Sequence, residues 1–248
     1  MTRDLVDTDL SGTRFVRCDL SGAVMRGVQV TGADVDAPWL VRDGGPFLVN
    51  GVDVTAFVDA ELDRRFPGRA LRHATDPAGL REAWAAVEAQ WAATVDRAAG
   101  LPDGSVDVRV DGEWSFAETL RHLVMATDTW LRGGVLEVER PWHPFGVPNA
   151  EYETDGHDMS VWATDPPTWP QVLEVRAERV AMVRDVVAAT TEADLAAQRR
   201  HPWAAPDSEH RVTVLACLRT VLEEEWEHHR YAVRDLAVLA SRGPSGPA

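Results

Sequence analysis

The sequence predicts a mainly α chain, a four-helix bundle preceded by a short solenoid. Four stretches between residues 76 and 241 carry apolar residues at helical spacing behind start signals. Helices of that kind bury their apolar faces most simply against one another. The first 40 residues instead repeat with a period of five, which belongs to neither a helix nor a flat strand.

In the repeat, Leu5, Leu10, Phe15, Leu20, Met25, Val30, Val35 and Leu40 mark the apolar position. A small residue (Thr8, Thr13, Cys18, Ala23 or Ala33) stands two places before most of them, and Val28 and Pro38 depart from that rule. The pattern resembles the pentapeptide-repeat family, whose right-handed square β-helix takes one repeat per side. The resemblance implies about two coils, in a module assigned to residues 1–45. So short a solenoid buries little by itself, so it is expected to pack on the next domain with Phe15 and Leu20 buried.

Residues 46–75 read as a linker with one short amphipathic helix near 54–66. The bundle follows over 76–241. Its first helix opens at Asp76-Pro77, a cap and a first-turn proline, and aligns Leu80, Trp84, Val87, Trp91 and Val95. The second opens with the capping box Ser115-Phe116-Ala117-Glu118 and runs to about Leu131. The third opens at Thr168-Trp169-Pro170-Gln171 and runs to about Ala189, and the fourth spans about Val212 to Ala240. Residues 133–167 form a long crossover with Trp142, His143, Tyr152, His157 and Trp162. Loops of that length are often functional, and this one is expected to cover the end of the bundle that carries the site. The tail 242–248, with two Gly-Pro pairs, is expected to be disordered.

Composition narrows the function. The 248 residues are 45% hydrophobic and 26% charged, an ordinary globular balance. The net charge of −15 argues against partners rich in phosphate, whether nucleic acid or anionic membrane. All 25 basic residues are arginines, which removes Schiff-base lysine chemistry and the P-loop lysine. Cys18 and Cys217 read as small buried residues, not as a disulfide or a thiolate site. No apolar run suits a membrane span and no signal pattern opens the chain, so a cytoplasmic location is expected.

The richest stretch is Glu223-Glu224-Glu225-Trp226-Glu227-His228-His229 in the fourth helix. Residues four apart share a helix face, so it holds two overlapping carboxylate–imidazole pairs, Glu224/His228 and Glu225/His229. Either pair, with His122 from the second helix, gives three ligands and an open position, the usual holding of a catalytic zinc. Helical phase puts Glu225 and His229 near the middle of the apolar face and Glu224 and His228 on a neighbouring strip. A carboxylate among leucines must be paired, protonated or metal-bound. A buried Glu–His or Glu–Arg pair that specifies packing is therefore the competing reading. His143 and His157 are further candidates to line the pocket. His73, His201 and His210 are expected in solvent, and Asp128 on an exposed face.

Trp114-Ser115-Phe116, Glu118 and Leu120-Arg121-His122-Leu123 resemble the second-helix motif of the DinB-like metal-binding four-helix bundles. In that family the histidine is the first metal ligand. The fourth helix carries His-x-x-x-His or Glu-x-x-x-His after an aliphatic pair and three residues before a polar side chain. Val221-Leu222 and Tyr231 fit that frame around Glu224/His228, whereas Glu225/His229 would put Glu223 and Ala232 at mismatched positions. The resemblance thus implies a metal held by His122, Glu224 and His228, with Glu225 and His229 as the alternative register.

A His/Glu/His set is similar to that of mycothiol-dependent maleylpyruvate isomerase and related thiol S-transferases. It implies a divalent metal, zinc first with nickel or iron as alternatives, and a low-molecular-weight thiol such as mycothiol. The expected activity is transfer or isomerisation of a small electrophilic substrate, with a homodimer allowed. The alternative is a non-catalytic metal-binding bundle whose repeat module is a protein-interaction surface.

Overall fold

A computed structural model describes residues 5–42, 44–205 and 208–242. The chain divides into two compact units, Met1–Ala37 and Pro38–Ala248. The expected disorder of the tail concerns residues that lie, from 243 on, outside the described ones.

In the first unit the five-residue period is a period of corners. Positive φ angles recur at Asp7, Gly12, Arg17, Gly22, Gly27 and Gly32. Alternate corners are closed by backbone bonds from Thr13 to Leu10, Ala23 to Leu20 and Ala33 to Val30, at 3.0, 2.9 and 3.0 Å. Aspartates brace two of them, with Asp9 and Asp19 accepting from the amides of Ser11 and Ser21. The expected burial is not found: Phe15 is 57% and Leu20 52% exposed. A solenoid interior is made by coils stacked above and below, and about two coils leave each apolar position at most one such neighbour.

The second unit is mainly α. It begins with a small hairpin, β1 (Leu48–Val49) and β2 (Val52–Asp53), turned by Asn50-Gly51 at φ 52° and 80°. This is the Asn-Gly signal of a tight hairpin, inside what reads from sequence as linker. Helix α1 (Thr55–Arg65) buries no residue fully. It is tied to the following 3₁₀ turn (Arg69–His73) by Arg69 and Arg72, both 4% exposed, which share Asp59 and Asp63.

The bundle consists of α2 (Pro77–Ala99), α3 (Phe116–Thr127), α4 (Trp169–Ala189) and α6 (Val214–Ser241). Each start follows its local chemistry. Asp76 accepts from the amide of Gly79 at 2.9 Å, and Ser115/Glu118 and Thr168/Gln171 form reciprocal caps. The faces of α2 and α6 close one core through Leu80, Trp84, Trp91, Leu218, Leu222 and Trp226.

Three features were not legible. α3 runs on as a π-helical stretch, Asp128–Val135, whose tight face brings Gly134 against Cys217. A short helix α5 (Glu192–Ala196) precedes α6. So does an antiparallel hairpin, β3 (Gln198–Arg200) with β4 (Arg211–Thr213), which moves the start of α6 to Val214. Among the described residues no helix is long and apolar enough to cross a membrane.

Candidate metal centre

The capping box at Ser115 sets the phase of α3 and turns His122 inward, leaving it 5% exposed. Glu224 and His228 stand one turn apart on α6. The Nε2 atoms of His122 and His228 lie 3.6 and 3.3 Å from the same oxygen, Glu224 Oε2. One donor atom from each of the three lies within 4.8 Å of the other two. Ligand bonds of about 2.0–2.2 Å at tetrahedral angles place donors roughly 3.3–3.6 Å apart, so the two nitrogen–oxygen distances fit a four-coordinate ion.

Each donor is prepared for that task. His122 Nδ1 is 3.0 Å from the carbonyl oxygen of Val147. A carbonyl only accepts, so Nδ1 donates to it and Nε2 is the nitrogen turned to Glu224 and His228. Burial alone would raise the Glu224 carboxyl, but the two imidazoles outweigh it and hold the group below the usual carboxylate range. Burial also pushes His228 down, against the pull of Glu224, which favours the neutral ligand form. The indole of Trp114 leans over both imidazoles, with centroids 4.4 Å from His122 and 5.8 Å from His228.

Glu225 and His229 go elsewhere. Glu225, 1% exposed, pairs with Arg176 of α4 at 2.5 Å. Burial raises its carboxyl, with Arg176 opposing. His229 Nε2 is 2.9 Å from Thr94 Oγ1 on α2, and Thr94 already donates to the carbonyl of Gln90. The hydroxyl can then only accept, so His229 is protonated at Nε2, and its buried Nδ1 has no partner. Phe66, Trp91 and Trp226 surround the ring, and burial pushes its pKa down to about 4. The two pairs thus part company on adjacent strips of one helix: Glu224/His228 converge with His122, and Glu225/His229 take buried partners on α4 and α2.

The crossover 133–167 lies against α3 beside His122, through the carbonyls of Val147 and Phe145. His143 and His157 are not among the converging donors. His143 accepts from the amide of Phe145, and His157 packs on Tyr152 and Trp203. Asp128 is not on an exposed face but 0% exposed. It accepts from Arg179 Nε and from the His143 amide, each at 2.7 Å, because the π-helical turn swings it into the bundle. His201 is half-buried and stacks on His210 at 4.4 Å. Residue chemistry could have flagged Trp114, which stands in the quoted motif. The Val147 carbonyl left no signal in the sequence.

A family model for the DinB superfamily matches residues 86–232, more than half of the chain and all three converging side chains. The chain belongs to the DinB superfamily. A pentapeptide-repeat model matches eight copies over residues 4–36 of this DinB-superfamily chain. No curated protein and no solved structure matches. Metal binding is the general property of the DinB superfamily, and the three donors offer a candidate His/Glu site for it.

Proposed function

We propose that His122, Glu224 and His228 hold one divalent ion, zinc foremost, and that the protein is a metal-dependent thiol S-transferase or isomerase acting on a small electrophile. The carrying observation is the convergence of two imidazole nitrogens on one carboxylate oxygen at 3.6 and 3.3 Å. When bound, the ion supplies a Lewis acid with residual positive charge, which stabilises a thiolate whose parent thiol has a pKa of about 8.5. The chain's own contribution is orientation and exclusion of water. Val147 keeps His122 in the ligating tautomer, Glu224 stays ionised, and Trp114 shields the imidazole faces.

Metal analysis of the purified protein should find about one ion per chain, as expected for a single three-donor site. His228→Ala should lose it and His229→Ala should retain most of it; the reverse would assign the ion to the other strip. Cobalt-loaded protein mixed with low-molecular-weight thiols, mycothiol among them, should develop a thiolate-to-cobalt charge-transfer band. Its absence with every thiol would leave a metal-binding bundle without this chemistry.

A further inference from the structure

The stretch 141–147 of the crossover is fastened to the second bundle helix and its π-helical extension at six points, one of them Arg132 donating to the Pro141 carbonyl. Trp142 Nε1 donates to Thr129 Oγ1 at 2.9 Å, and the His143 amide to Asp128 Oδ2 at 2.7 Å. Arg121 Nε donates to the Phe145 carbonyl at 2.8 Å, and the Val147 amide to the Arg121 carbonyl at 3.3 Å. The sixth point is His122 Nδ1 on the Val147 carbonyl, at 3.0 Å.

This approach depends on one residue without a side chain. Gly146 is buried, and a Cβ there would lie 2.6 Å from Trp162 Cζ3 and 3.2 Å from Met125 Cβ. The first distance is shorter than real Cβ contacts allow. Met125 Cβ is fixed to the helix that carries His122, and Trp162 is a rigid ring, so neither side yields cheaply. A methyl group at 146 must displace the Trp162 ring or the stretch itself, and any lift of the stretch moves the Val147 carbonyl, the next acceptor along it, away from the helix.

We infer that Gly146 is a positioning residue: by letting 141–147 lie flat on α3, it holds the Val147 carbonyl against His122 Nδ1. His122 then keeps its Nε2 turned to Glu224 and His228. The consequence for metal rests on the function proposed above; the consequence for the tautomer does not. Hydrogen bonds of this outer kind fix ring orientation and commonly set metal affinity by about 10–100-fold.

The test is Gly146→Ala in the full chain, read in two ways. In ¹⁵N-labelled metal-free protein, long-range imidazole spectra should show a proton on His122 Nδ1, and Gly146→Ala should lose it from that nitrogen in part or whole. Zinc affinity, by competition with a chromophoric chelator, should fall about 10–100-fold in the variant. Gly146→Ala/Trp162→Phe, which removes the nearest clash, should recover part of both signals; it also carries the measurement if the single variant does not fold. An unchanged tautomer, or an unchanged zinc affinity in a variant whose tautomer has shifted, overturns the inference. Should the wild type bind no zinc, the metal reading falls by itself, and the tautomer result alone decides the role of Gly146.

Discussion

Acid should unfold this protein in large part through His229, a residue outside the candidate centre. The folded ring has its pKa pushed down to about 4, against about 6.5 in the unfolded chain. The folded value lies below the unfolded one, so between them the unfolded chain takes up a proton that the fold refuses. Stability is therefore whole above about pH 6.5 and is lost as pH falls toward about 4. At 3% exposure solvent screening is slight, and the displacement corresponds to about 3 kcal/mol, most of it gone by about pH 4.5. That is a large share of a typical folding free energy of about 5–15 kcal/mol. His229→Phe keeps an aromatic ring among Phe66, Trp91 and Trp226 and leaves the Thr94 bond to Gln90 in place. Urea unfolding followed by helical circular dichroism, with chelator present, should be run on both proteins from about pH 7.5 to about pH 4.5. Groups titrating in both proteins, His228 and Glu225 among them, largely drop out of the difference. The variant should lose about 2–3 kcal/mol less than the wild type over that range. Parallel stability curves would refute the reasoning, because they would mean that His229 is not held neutral by burial.

Arg176→Met should destabilise the fold by about 3–5 kcal/mol in chemical denaturation, because it strands the Glu225 carboxylate. Adding Glu225→Leu should recover most of that loss. Asp128→Ala should leave Arg179 and the His143 amide without their acceptor, and limited proteolysis should then cut within 133–167 at a rate the wild type resists. Cobalt titration should quench the emission of Trp114, whose ring lies on both imidazoles; Trp114→Phe should lose most of that quenching and Trp203→Phe little. Metal retention, measured by dialysis at stepped pH, should fall with acid because ligation requires neutral imidazoles.

The helix starts were legible because they are written within four residues. The Asp76 cap and the boxes at Ser115/Glu118 and Thr168/Gln171 satisfy amides of their own first turn, so no distant residue is needed to predict them. The period of five was legible for the same reason, since alternate corners close on a carbonyl three residues back. Burial of the repeat was not, because it depends on how many coils stack and not on the repeat itself.

The sequence by itself determined which residue types stand on the inner strips of α6, down to the two overlapping Glu/His pairs. Glu224 and Glu225 are one residue and about 100° apart, so helical phase puts Glu225 on the apolar face and Glu224 on the neighbouring strip without saying what either meets there. The motif resemblance chose Glu224/His228, and the tertiary structure shows what each pair meets. Arg176 on α4 and Thr94 on α2 take Glu225 and His229, while α3 brings His122 to Glu224 and His228. Asp128 shows the same limit: Arg132 one turn on is a local partner, but Arg179, which meets it inside the bundle, is 51 residues away and beyond any local pattern. The Val147 carbonyl is hidden more deeply still, since every residue has one. What makes this carbonyl particular is the close passage at Gly146, and that exists only once the crossover lies on the helix.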